Sequence, residues 1–153
     1  MKITELLIEK CVFLNVKANK KEEVWSLLAN SLKEAGAVRD VEGYLADVHC
    51  REEKGTTGIG FGVAIPHAKS AAVALPALAM ARLDAGIDVA SLDGTKADIF
   101  FQIAAPINGE DVHLSALSRL ARMLIHSSFL DALRQAKTPA DVIAVIRERD
   151  EAN

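Results

Sequence analysis

Cysteine is scarce: Cys11 and Cys50 are the only two in 153 residues. The count allows one disulfide, but two cysteines in a chain without a secretory leader read as reduced thiols. The pair His49-Cys50 invites a metal reading, yet helix neighbours point about 100° apart and no Cys-x-x-Cys or His-x-x-x-His supports it. We therefore expect no metal and no cofactor. Positive charge is not in excess either, with 18 Lys and Arg against 21 Asp and Glu and a net charge of −3. Without a basic cluster or a basic-aromatic alternation, nucleic acid is not an expected partner. The apolar runs all stop well short of bilayer length, and Met1 to Leu6 lacks a signal peptide's apolar core and cleavage site. The expectation is a soluble, cytoplasmic protein with no membrane insertion. Internal repeats, low-complexity tracts and linkers are missing too, so residues 1–153 read as a single domain.

Half the residues are apolar and a quarter charged, an ordinary globular composition. Residues 4–8 read as a short helix and 11–14 as a first strand. Asn19 and Glu22 have capping-box spacing, and Val24, Leu27, Leu28, Leu32 and Ala35 then form one helical stripe ending at Gly36. Asp40 opens a second helix reaching about Glu53. Strands are expected at 63–65, 77–83 and 98–104, with another candidate at 87–89. Glu110 or Asp111 caps a helix with His113 in its first turn, His126 falls at that helix's end, and two helices follow near 128–136 and from Thr138-Pro139, fraying from Glu148. This order predicts an α/β (α+β) fold, a mixed sheet of about four to five strands with helices on both faces.

The most informative stretch runs from Arg51 to Lys69. It holds Gly55, Gly58, Gly60 and Gly62, then the apolar Val63-Ala64-Ile65, then Pro66-His67. Glycine at that density marks sharp turns or close backbone approach, and free N–H groups there would suit a phosphate. It is neither a P-loop, lacking Gly-Lys-Ser/Thr, nor a dinucleotide fingerprint, because the glycines precede a strand. Pro66 stiffens the chain, so His67 is mounted as a nucleophile would be. A lone histidine in such a place can also be an ordinary core residue; the glycines before it and Lys69-Ser70 after it weigh toward function.

At these residues the chain resembles a known family. Gly-Thr-Thr-Gly-Ile-Gly-x-Gly-Val-Ala-Ile-Pro-His is similar to the active-site signature of fructose/mannitol-type IIA domains of the bacterial phosphoenolpyruvate:sugar phosphotransferase system. Asp98-Ile-Phe-Phe-Gln-Ile-Ala-Ala-Pro106 resembles that family's later core strand, and His113-Leu-Ser-Ala-Leu-Ser-Arg-Leu-Ala121 its second histidine motif. Phe61 and Ala68 depart from it, standing where a polar residue and glycine are common. The resemblance implies that His67 takes a phosphoryl group from phospho-HPr and passes it to a IIB component, with His113 as second active-site histidine. It also implies a phosphate contact from Arg51; the loop N–H groups, Gly58 among them, and the Thr56 and Thr57 hydroxyls are further candidates to hold the phosphate. Taken alone, Arg51 and His113 read as surface residues. One rival is a regulatory, nitrogen-type module whose phosphorylation state a target protein senses. A hydrolase is the other, disfavoured because no Gly-x-Ser-x-Gly elbow or placed cysteine nucleophile exists.

Overall fold

The computed structural model describes residues 2–108 and 112–152. A 3₁₀ turn at Ile3–Glu5 leads into β1 (Leu7–Val16), then α1 (Lys21–Glu34) and α2 (Val41–Glu53). Four strands follow: β2 (Gly58–Gly60), β3 (Val63–Ala64), β4 (His67–Ser70) and β5 (Ala77–Ile87). The chain closes with β6 (Ala97–Pro106), α3 (Val112–Leu124), α4 (Ser127–Gln135) and α5 (Pro139–Ala152). The strands form one mixed six-stranded sheet in the order β1-β5-β6-β3-β2, with β4 also paired to β6.

β5 and β6 are antiparallel and lie at the centre of the sheet. Their alternation sorts side chains between two cores. Ala77, Ala79, Ala81, Phe100 and Ala104 face one way and meet Trp25, Leu28, Leu32, Tyr44 and Val48 of α1 and α2. Leu78, Met80, Ile99, Phe101 and Ile103 face the other way, against Leu120, Leu124, Phe129, Leu133, Val142 and Ile146 of α3 to α5. The architecture is thus three layers, helix–sheet–helix, and the unbroken apolar reading of 98–104 follows from burial on both faces. That agrees with the α/β class and with helices on both sides of the sheet.

The details differ from the sequence reading in several places, among them β4, a strand that reading did not foresee. The stretch read as a helix over 4–8 is a 3₁₀ turn followed by strand, because Leu6 O accepts the Leu78 amide and Leu7 pairs with Leu78 of β5. No separate strand exists at 87–89, since β5 continues to Ile87. The glycine-rich segment holds an unforeseen strand, β2, which turns back on β3 through Phe61 (φ 60°) and Gly62 (φ 80°). Two successive positive φ values match a two-residue hairpin with mirror-image turn geometry. At α1 the N-cap is Lys20 and makes no side-chain capping bond; Glu23, one residue beyond the predicted Glu22, accepts the Asn19 amide at 3.3 Å. Finally, α5 does not fray at Glu148. Asp150 is buried and its carboxylate accepts the Ile3 and Thr4 amides and Arg119 Nε at 3.2, 3.0 and 2.9 Å. The proposed caps Glu110 and Asp111 lie outside the described residues.

Candidate active site

His67 begins β4, and the reason lies in the preceding proline. Pro66 has no N–H to give the ladder, so the strand that starts as β3 breaks after Ala64 and resumes at His67. The register survives the break: Ala64 pairs with Phe100 and His67 with Ile103, three residues on in both strands. Ile103 donates its N–H to Pro66 O at 3.0 Å, while its carbonyl accepts the Tyr44 hydroxyl at 2.8 Å. A central strand and a buried tyrosine thus fix the backbone on which His67 is mounted.

The ring is itself 7% exposed, and its Nδ1 lies 2.9 Å from Ile65 O. A carbonyl can only accept, so Nδ1 carries the proton and Nε2 keeps the lone pair of the neutral imidazole. Burial lowers the His67 pKa from the ordinary value, and the Arg51 and His113 charges lower it further, against opposing effects of the Ile65 carbonyl and Glu52. The ring is neutral at pH 7, with a nucleophilic Nε2.

His67 lines a cleft of about 480 Å³ together with Arg51, Lys54, Lys69, His113 and Leu117. Helical spacing puts Arg51 and Lys54 on one face of α2's end, and period two puts Lys69 on the same face of β4 as His67. His113 enters from the start of α3, its ring centroid 6.3 Å from that of His67 and the planes tilted by 33°. Arg51 Nη1 donates to Gly55 O at 2.9 Å, which holds the guanidinium along the cleft wall. In a chain of net negative charge, three cationic side chains and two histidines against one carboxylate, Asp47, leave the cleft net positive and suited to an anionic group.

The other predicted phosphate contacts sit elsewhere. Thr56 Oγ1 donates to Val89 O and accepts the Gly58 amide. Thr57 gives its amide and its hydroxyl to Glu52. The Phe61 and Gly62 amides go to Asp93 and Thr95. These N–H groups tie the hairpin to its neighbours, and none of these residues lines the cleft. Gly58 is required by packing: a Cβ there would lie 2.6 Å from Val89 Cγ2 and Ser91 Oγ. Sequence reasoning overlooked Lys54 as a cleft residue, although its i+3 spacing from Arg51 was the available signal. Cys50 is exposed on the same cleft, whereas Cys11 is buried against Ser31 O; both are free thiols.

The chain belongs to the family described as "Phosphoenolpyruvate-dependent sugar phosphotransferase system, EIIA 2", whose model matches residues 5–149. It is 40% identical over 150 residues to the fructose-specific EIIABC component of Bacillus subtilis, covering 98% of this chain and 24% of that protein. It is 38% identical over 128 residues to the fructose-specific EIIA component of Haloferax volcanii, covering 84% of this chain and 83% of the other. The crystal structure of nitrogen regulatory protein IIA-Ntr from Neisseria meningitidis superposes with a TM-score of 0.87 at 26% identity, over 94% of this chain and 98% of that one. The chain therefore spans about a quarter of the longer fructose relative and most of the shorter ones. Among the described residues, no helix is long and apolar enough to cross a membrane.

Proposed function

We propose that this protein is a phosphoryl carrier of the phosphotransferase system, loaded on His67 Nε2 by phospho-HPr and discharged to a IIB component. The observation that carries the reading is the hydrogen bond from His67 Nδ1–H to Ile65 O, which leaves Nε2 as the nucleophile of a buried, neutral ring. In the loading step the Nε2 lone pair attacks the donor's phosphorus in line as the donor's P–N bond breaks. Each ring keeps its proton on the other nitrogen, so the donor leaves as neutral imidazole. Positive charge develops on the His67 ring, and the Ile65 carbonyl at Nδ1–H stabilises it. Arg51 and His113 spread the negative charge of the transferring group, a role for preorganised donors. No proton has to move, which keeps the step reversible and the group transferable.

Transfer to a IIB component is supported by the fructose relative, whose name joins A, B and C units in one protein. A second reading has its own support in the N. meningitidis IIA-Ntr likeness: a module whose phosphorylation state a target protein senses. The Phe100-Phe101-Gln102-Ile103 strand resembles the sugar-specific branch and favours the first. Incubating the protein with phosphoenolpyruvate, enzyme I and HPr should add one acid-labile phosphoryl group by mass spectrometry. His67→Gln should fold and add none. Subsequent mixing with candidate IIB domains separates the two readings: loss of the label to IIB marks a transport component, retention a regulator.

A further inference from the structure

The last turn of α2 carries a carboxylate where a helix favours a cation: Glu52 is the penultimate residue of Val41–Glu53. Its side chain is only 8% exposed, a costly place for a charge unless hydrogen bonds replace the lost water. One neighbour supplies them. The Thr57 amide lies 3.1 and 3.3 Å from the two Glu52 oxygens, and the Thr57 hydroxyl donates to Oε2 at 2.6 Å. Lys21 Nζ adds an ion pair at 3.7 Å. Thr57, itself 6% exposed, then accepts the Ile65 N–H on its carbonyl at 2.9 Å. Ile65 lies in the gap between β3 and β4, where Pro66 breaks the ladder. Its N–H is thus held by Thr57, and its carbonyl is the one that binds His67 Nδ1–H.

We propose that Glu52 is a positioning residue for His67: through Thr57 it holds the Ile65 carbonyl that selects the reactive tautomer. Glu52 does not line the cleft, so it acts on the nucleophile from behind. Thr57 accordingly serves the nucleophile's orientation by way of its backbone and hydroxyl.

The test uses Glu52→Ala and Glu52→Gln in the full chain. Long-range proton–nitrogen NMR of the imidazoles reports which ring nitrogen bears the proton. Wild-type His67 should be protonated on Nδ1 and bare on Nε2. In Glu52→Ala we expect a mixture of tautomers. The maximal loading rate from phospho-HPr should fall about ten- to a hundredfold, the scale of a misplaced reacting group, with the half-saturating donor concentration unchanged. Glu52→Gln keeps one acceptor for Thr57 and should recover part of both signals. A folded Glu52→Ala with wild-type tautomer and rate would overturn the proposal. So would slow loading with unaltered His67 resonances. Should Glu52→Ala fail to fold, Glu52→Gln and Thr57→Val decide: a shifted His67 tautomer population supports the proposal, and wild-type spectra in both refute it. The rate arm rests on the carrier reading, whereas the tautomer is measured in unphosphorylated protein. A wild type that never loads would thus defeat that reading alone.

Discussion

His67 differs from an ordinary surface imidazole in being buried, neutral and locked in one tautomer, and each property has a measurable consequence. Its folded pKa lies below the usual value of 6.5, so on acidification the unfolded chain takes up the proton first. The stability His67 contributes is therefore complete above pH ~6.5 and is lost as pH falls from there toward the folded value. Between pH ~7 and ~5 the wild-type Tm should fall more steeply than that of His67→Gln; parallel curves would contradict the burial argument. His113 has another part, at the start of a helix beside the ring it faces. In His113→Ala the nucleophile is intact, so His67 should still load, but about 10²–10³-fold more slowly, as when one preorganised donor is lost. Single-turnover kinetics on loading and discharge check this, and wild-type rates in both directions would reduce His113 to a surface residue.

The element that carries the site is a hairpin and an interrupted strand, and its tip is strained. Phe61 holds φ 60° with 55% of its surface exposed, so it bears the left-handed penalty and gains little from burial. Asn-Gly is the preferred pair for such a turn. Phe61→Asn should raise stability by about 0.5–1 kcal/mol, the scale of matching a turn residue to its backbone. A denaturant midpoint at or below wild type would show that the phenyl ring packs more than its exposure suggests.

Elements of this kind also mark the limit of what the sequence discloses. The helices α1 and α2 were legible because their apolar stripes repeat at helical period. The strand 98–104 was legible because both its faces are buried. His67 was legible because proline and glycine punctuate the chain around it. β2 was not, since three residues of which two are glycine carry no side-chain pattern, and pairing with β3 alone makes them a strand. The Glu52–Thr57 bond was equally hidden. A threonine in a glycine-rich loop reads as a phosphate ligand until the carboxylate it meets is located, and that carboxylate sits one helix back.

At the scale of the whole molecule, the two chain ends are tied together on the face opposite α1 and α2. Asp150 of α5 binds the Ile3 and Thr4 amides and Arg119 of α3, joining three parts of the fold through one buried carboxylate. Fraying was the natural expectation for a charged C-terminal segment, because this partner set is distant in sequence. Asp150→Ala removes the acceptor of Arg119 Nε and of the Ile3 and Thr4 amides, while Arg119 Nη2 keeps the backbone carbonyl of residue 150, and should cost about 3–5 kcal/mol, as when one partner of a buried ion pair is removed. Loss below about 1 kcal/mol in denaturant unfolding would mean that water reaches the site freely. Phosphoryl loading, by contrast, should persist in the folded variant, since Asp150 does not line the cleft.

The claim on which the rest depends is that the phosphoryl group rests on one atom, Nε2 of His67. Nitrogen-15 NMR of the loaded protein, with the imidazoles assigned, tests it most directly. A phosphorus-coupled Nε2 at His67 is expected, with Nδ1 still protonated and hydrogen-bonded to Ile65 O. Phosphorus coupled to Nδ1 of His67, or to either nitrogen of His113, would contradict it.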